Sequence, residues 1–357
     1  FYYLESMNIK EREEFAFESV DMGNIFHGVL EGFSKKLEES PYTWFDFPED
    51  FAAKTVAETL SLYAAGYGDT VLFSSARNEY ALKRINRILN RTVQTLQYQL
   101  KKGSFVPQNY EMSFSSVSDL ESVNITLSED EKMQLLGKID RVDTCESEGR
   151  LFVKVIDYKS GSRKFNLAAL YYGLQLQLVV YMNAAMDSQK RKHPDKEVVP
   201  AAMLYYRVQD PVVAEEAEHT PEEINARVLE ALRCEGVVNC AEEVTKRLDA
   251  ETESKSDVVP VEYKKDGTLS SRSSVMTAEE MQEISAFVNK KVRHLGKEIL
   301  DGNIEVNPYR SGQEQACTYC AFQGVCGFEK NTPGYAYRNL QDLDKEEVME
   351  RIREESI

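Results

Sequence analysis

Two short segments, GKIDRVD (Gly137 to Asp143) and VIDYKSG (Val155 to Gly161), hold the residues best suited to chemistry. Asp157 and Lys159 follow an apolar run, Leu151, Phe152, Val153, Val155 and Ile156, that reads as a mostly buried β-strand. Side chains two apart on an extended strand leave the same face. Leu135 to Val142 reads as the preceding strand, and Glu146 to Arg150 as the polar turn between them. Folding that hairpin about Ser147 and Glu148 sets Asp140 opposite residues 155 to 157. The Cβ atoms of Asp140 and Asp157 are then roughly 4.5–5.5 Å apart if directly opposed. Two buried carboxylates that close repel at a cost of several kcal/mol per ion. A hard divalent cation held by carboxylate oxygens removes that cost. The competing account pairs Asp140 with Arg141 or Arg163 and leaves Lys159 solvated at a strand end. Both halves occurring together at this spacing favour the cation.

The surrounding elements can be read along the chain. Its 357 residues are 42% hydrophobic with a single Trp, enough for one large core or two modest ones. No apolar run approaches a membrane span, and no signal-peptide pattern is present. Phe1 to Phe17 begins without a cap or leader and reads as a cut piece of something longer. Asp21 is placed to cap a helix to about Glu38, with Ile25, Val29, Phe33 and Leu37 on one side. Helices are expected at Glu49 to Ala65 and Asn78 to Lys101, then a strand at Pro107 to Phe114 that includes Glu111. Leu167 to Met186 has helical spacing, and AAMLYYRV (Ala201 to Val208) is an apolar strand. Strand, helix and strand in that order make a right-handed crossover. The sequence therefore predicts an α/β fold, a central mixed sheet in αβββαβ order with a shell of additional helices. TPEE at Thr220 starts another helix, and a hairpin is expected at Lys265-Asp266-Gly267. Thr277 and Glu280 form a capping box for a long helix with Met281, Ile284, Val288, Val292, Leu295 and Ile299 inward and Gly302 past its end. The expected divisions are a core at about 18–210, an insertion at about 211–275, a helix and cysteine motif at 276–331, and a charged tail with a peripheral helix at 332–357.

A net charge of −17 argues against strong free-standing nucleic-acid binding but leaves room for a local basic stripe. Arg84, Arg87 and Arg91 offer one at i, i+3 and i+7, although a solvated helix face explains them more simply. Gln177 and Tyr181, four apart, share a helix face. They can hold a phosphate backbone, orient the carboxylates, or form a plain polar rim. His27 is one of four histidines. An imidazole completing an oxygen-rich site suits Mn²⁺ better than Mg²⁺, whereas a lone helical histidine is more often a satisfied polar residue. Cys317, Cys320 and Cys326 are spaced C-x2-C-x5-C beside Pro308, Tyr309 and Tyr319, a strong metal signal. Three ligands do not close a tetrahedral or cubane site. The fourth comes from elsewhere; zinc, or recruitment of Cys145, Cys234 or Cys240, stays open. Cysteines so distributed suit a reducing cytoplasm better than a disulfide framework.

The motifs MGNIFHGVL, GKIDRVD, VIDYKSG, YYGLQLQLVVYMNAAM, PAAMLYYRVQDP, and VNPYR followed by ACTYCAFQGVC occur in that order over nearly the whole chain. In them the sequence resembles the PD-(D/E)xK nuclease superfamily, RecB-like branch. It is most similar to the C-terminal nuclease domain of the AddB component of AddAB-type bacterial helicase–nucleases. The resemblance implies a restriction-endonuclease-like core and a Mg²⁺-dependent (or Mn²⁺-dependent) DNA exonuclease. That enzyme would process a single strand from an unwound duplex in double-strand break repair, beside an AddA-type subunit in the bacterial cytoplasm. By the same resemblance His27, Asp140, Asp157 and the backbone carbonyl of Tyr158 hold the metal. Lys159 positions or activates the attacking water, and Gln177 and Tyr181 are the branch's Q-x3-Y motif. Cys317, Cys320 and Cys326 would join a fourth cysteine, just ahead of the segment matching Phe1 and missing from this chain, around a [4Fe–4S] cluster. No GxxxxGK[ST] occurs, so ATP-driven unwinding is not expected in this piece. A stand-alone iron–sulfur exonuclease of the same superfamily is disfavoured by the long 210–274 segment. A decayed scaffold is disfavoured by intact Asp140, Asp157 and Lys159.

Overall fold

A computed structural model describes residues 19–66, 76–114, 120, 122–161, 164–212 and 220–355. The expectations for Phe1 to Phe17 and for Arg163 lie outside the described residues. Three helices come first: α1 (Ser19–Glu38), α2 (Glu49–Gly66) and α3 (Ala76–Lys101). Strands β1 (Val106–Ser113), β2 (Asn124–Thr126), β3 (Lys132–Gln134), β4 (Lys138–Ser147) and β5 (Arg150–Lys159) follow. Next are α4 (Leu167–Tyr171), α5 (Gln177–Lys192), β6 (Glu197–Arg207), α6 (Pro221–Ala231), β7 (Glu235–Asn239) and α7 (Glu242–Leu248). The chain continues through β8 (Val275–Met276), α8 (Ala278–Leu300), β9 (Tyr309–Ser311), β10 (Glu314–Gln315), α9 (Gln323–Cys326), β11 (Arg338–Asn339) and α10 (Lys345–Glu354).

Six strands form one mixed sheet in the order β1-β4-β5-β6-β7-β8. β1, β4 and β5 run antiparallel, and β6 returns parallel to β5 after the α4–α5 crossover. The expected αβββαβ core is thus present, with a small β2–β3 ribbon inserted in the chain between β1 and β4. Strand alternation splits the core in two. Phe152, Ile156, Tyr158, Leu204 and Tyr206 face α1, α2 and α3. Val153, Val155, Met203 and Tyr205 face α5, α8 and α10. The segment 211–275, expected as an insertion, adds β7 and the edge strand β8 to the sheet.

Several elements depart from the sequence reading. α1 begins at Ser19, two residues ahead of the Asp21 expected as its cap. β4 starts at Lys138 rather than Leu135 and extends to Ser147. The helix expected over Leu167 to Met186 is two helices, because the chain turns at Gly173 with φ 87°. There Gly173 N–H donates to the Leu170 carbonyl and Leu174 N–H to that of Ala169, closing α4. Gln177 therefore opens α5 instead of lying inside a longer helix. Lys265 to Gly267 forms a turn flanked by a single bridge, Tyr263 to Leu269, not a pair of strands. On α8 the capping box is formed, but Leu295 and Ile299 are 40% and 71% exposed. Gly296 is still buried against Met133, so the helix outruns the core by its last turn, where Ile299 and Leu300 lie exposed. The tail helix α10, expected to be peripheral, buries Val348, Met349 and Ile352 in the same core as α8.

Candidate active site and metal centre

The hairpin β4–β5 closes through Glu148 and Gly149, both at positive φ (48° and 78°), a conformation that matches the strands' right-handed twist. Its register pairs Arg141 with Ile156, so the next position outward sets Asp140 against Asp157. On the other edge of β4, Tyr110 pairs with Arg141 and Met112 with Ile139, so Glu111 falls against Asp140. Beyond β5, β6 pairs Tyr205 with Asp157. Three adjacent strands, β1, β4 and β5, thus each deliver one acid to a single row.

α1 completes the row. His27 Nδ1 lies 3.2 Å from Asp140 Oδ1 and 3.4 Å from Glu111 Oε1. The donor atoms of His27, Glu111 and Asp140 lie within 4.8 Å of one another. The second Asp140 oxygen, Oδ2, accepts a 2.6 Å hydrogen bond from Tyr158 N–H. Lys159 Nζ is 2.6 Å from Asp157 Oδ2 and donates a 2.9 Å hydrogen bond to Gln177 Oε1. Gln177 Nε2 donates in turn to the Tyr181 hydroxyl at 2.8 Å. Buried Asp157 Oδ2 takes its countercharge from the Lys159 ammonium and is offered no further hydrogen bond. His27, Glu111 and Asp140 make an imidazole–carboxylate donor set that fits a divalent cation, and Asp157 stands next to this group across the β4–β5 register but outside it.

The electrostatics carry the same signature. Burial, and then the Asp140 charge, push Asp157 up to about 6, against the pull of Lys159 and His27. Burial alone would lower His27, but hydrogen bonds and charge from Asp140 and Glu111 override it and raise the imidazole to about 10. The protein places acids where they cost energy and uses a proton on His27 to offset them.

Sequence alone does not single out Glu111 as a site residue. The available signal is weak: on a strand that also carries Gln108, Asn109 and Ser113, an acid between Tyr110 and Met112. Its φ of 48° is the left-handed region, rare for a non-glycine residue and costing about 1–3 kcal/mol. Arg84, Arg87 and Arg91 are not part of the row. Arg84 is exposed, Arg91 half-buried, and Arg87 pairs with Asp210 at 2.6 Å. Asp210 lies three residues past Arg207, the register partner of Lys159, so Arg87 borders the same end of the sheet. Cys317 and Cys326 are half-buried and Cys320 exposed, in the small β9–β10 module. Among the described residues the one converging group of three such ligands is His27, Glu111 and Asp140; the three thiols do not form such a group. Cys145 and Cys234 are committed to the core under α1–α3.

Beneath the row, on the opposite face of the sheet, Arg141 donates two hydrogen bonds to Asp143, at 2.6 and 2.8 Å. Lys154 Nζ approaches the same carboxylate at 2.8 Å. Arg141 and Asp143 are fully buried, and the guanidinium lies 5.3 Å from the Trp44 ring centroid.

Known proteins share this arrangement of sequence. The chain is 40% identical, over 98% of its length, to the B subunit of the ATP-dependent helicase/deoxyribonuclease of Lachnoclostridium phytofermentans. It is 35% identical over 98% to the protein of the same name from Clostridium tetani, and 33% over 98% to that of Thermoanaerobacter sp.. It spans about 30% of the length of each of these relatives. The family model of the PD-(D/E)XK nuclease superfamily matches residues 1–327. A row of acids ending in the Asp157–Lys159 pair, on a mixed sheet with helices on both faces, accompanies a family match over nearly the entire length: the chain belongs to the PD-(D/E)XK nuclease superfamily.

Proposed function

We propose that this chain is the metal-dependent DNA exonuclease domain of an ATP-dependent helicase–nuclease that acts in double-strand break repair and recombination. The observation that carries the reading is the row Glu111, Asp140 and Asp157, flanked by His27 and ended by Lys159. The relatives' name, a helicase/deoxyribonuclease, supports DNA as the substrate and a helicase-bearing assembly with an AddA-type subunit as the setting. His27, Glu111, Asp140, Asp157 and the Tyr158 carbonyl would hold Mg²⁺ or Mn²⁺. A divalent cation there supplies Lewis-acid stabilisation of the scissile phosphate and lowers the pKa of a bound water.

The remaining work falls to the chain's own groups. Lys159, held between Asp157 and Gln177, presents an ammonium to charge developing on the phosphoryl oxygens and orients the attacking water. Gln177 fixes that lysine and is itself fixed by Tyr181, so both are positioning residues. Arg84, Arg87 and Arg91 guide the backbone of a single strand toward the row. Cys317, Cys320 and Cys326 are three ligands of a [4Fe–4S] cluster whose fourth cysteine is outside this sequence. Iron and brown colour in the present chain would contradict that assignment.

Cleavage of end-labelled single-stranded DNA, with and without a helicase partner and with added Mg²⁺, tests the function. Asp157→Ala and Asp140→Ala are expected to abolish cleavage with the fold intact. Lys159→Ala is expected to lose at least about 10²-fold, the scale of removing one charge-stabilising donor. Wild-type rates in folded Asp157→Ala protein would overturn the reading.

A further inference from the structure

α1 carries His27 to the acids, and its flank toward α2 decides how deeply it sits. A Cβ placed on Gly28, the next residue, would lie 2.0 Å from Tyr63 Cε2, 2.5 Å from Cζ and 2.7 Å from Cδ2. One turn later, a Cβ on Gly32 would lie 2.4 Å from Thr59 Cγ2. Gly28 and Gly32 are four apart on α1, as Thr59 and Tyr63 are on α2. Two successive turns of α2 therefore press side chains into a groove that only glycine leaves open. Neither glycine adopts positive φ, so space, not backbone freedom, requires them. Glycine inside a helix is otherwise unfavourable relative to alanine. The Tyr63 phenol is also within reach of the site's charge: burial, then Glu31 and Glu111, hold its pKa above the ordinary range.

We propose that Tyr63 is a positioning residue for the metal centre, and that Gly28 is the gap that admits its ring against the helix turn bearing His27. The inference rests on reading His27, Glu111 and Asp140 as cation ligands. Ordinary van der Waals contact begins near 3.4 Å, so with a methyl at Gly28 the Tyr63 ring, the helix turn or both must give by more than an ångström. His27 Nδ1 stands 3.2 Å from Asp140 and 3.4 Å from Glu111, and a shift of that size opens the donor set.

Mn²⁺ binding to the 357-residue chain, read by electron paramagnetic resonance beside the melting temperature, tests this. Gly28→Ala is expected to weaken Mn²⁺ binding about 10–100-fold, the usual range for disturbing support behind a metal ligand. Tyr63→Ala weakens it less. In the Tyr63→Ala background Gly28→Ala adds no further loss, because the clash is gone. Gly32→Ala, which meets Thr59 one turn farther from His27, lowers the melting temperature without a matching loss of affinity. Wild-type affinity in folded Gly28→Ala protein, or a Gly28→Ala effect undiminished without the ring, overturns the proposal. If Gly28→Ala does not fold, Tyr63→Leu decides: weakened Mn²⁺ binding supports the role and unchanged binding overturns it. Asp140→Asn separates the two claims. If wild type binds no Mn²⁺ that this change removes, the metal-site reading has failed and takes the Tyr63 role with it.

Discussion

Asp157 and His27 are the acid and the base of the site whose ionisation the fold bends. Asp157 is 2% exposed, and its carboxyl is pushed up to about 6 by burial and by Asp140. A group whose folded pKa is raised contributes stability that is fully present below its unfolded pKa, near 3.9, and is lost as pH rises through about 6. At pH 8 the metal-free protein therefore carries a destabilising charge at Asp157. Asp157→Asn should stabilise the metal-free fold by about 1–3 kcal/mol at pH 8, with the difference fading below pH 4. Urea unfolding in EDTA at the two pH values checks this. An equal or lower stability for the variant at pH 8 would show that Asp157 is not under strain. The imidazole of His27, raised to about 10, acts in the same sense. Its contribution is complete below about 6.5 and disappears toward pH 10. Metal-free wild type should accordingly lose stability steadily across the alkaline range, and His27→Ala protein should lose less.

The β4–β5 hairpin is the element that makes the site, and it is anchored from behind. Arg141, Asp143 and Lys154 sit on the face opposite Asp140 and Asp157, so one strand pair holds two cations sharing one carboxylate below and the acidic row, with His27 and Lys159 beside it, above. Asp143→Ala would strand two buried cations, and breaking such a pair costs about 3–5 kcal/mol. Chemical denaturation should show a loss of that size, whereas a surface acid such as Glu148 should cost under about 1 kcal/mol. This hairpin is also the most legible part of the sequence. The apolar run LFVKVI, a strand buried on both faces, and a polar turn of fixed length leave little freedom in register, so the Asp140–Asp157 facing can be read directly. Glu111 cannot, because its place depends on a left-handed backbone and on a bulge between Pro107 and Asn109. Helical spacing runs unbroken through Tyr171, Tyr172 and Gly173, so the kink that puts Gln177 at a helix start is hidden in a single glycine. The arginines keep their helical face, but only the fold reveals that Arg87 is engaged by Asp210.

At the scale of the whole molecule, the sheet is covered on both faces, and the two cores do different work. The α1–α3 side supports the turn that presents His27, while the α5–α8–α10 side supports Gln177 and Tyr181. α10 belongs to the second core although its residues are mostly charged. Val348, Met349 and Ile352 are too few to announce a buried face in sequence, yet each is 2% exposed or less. Fully burying side chains of this size contributes about 1.5–3 kcal/mol each. Ending the chain at residue 340 should therefore lower the melting temperature markedly and expose apolar surface that binds a hydrophobic dye. An unchanged melting temperature would make α10 the appendage its composition suggests. No helix among the described residues is long and apolar enough to cross a membrane.

Anomalous diffraction from crystals of the chain soaked in Mn²⁺ tests the shared donor set at its source. One strong peak is expected within coordination distance of His27, Glu111, Asp140 and Asp157, absent from crystals of Asp140→Asn protein. Uptake of Mn²⁺ only at other surfaces, with that pocket of acids left bare, would contradict the metal centre.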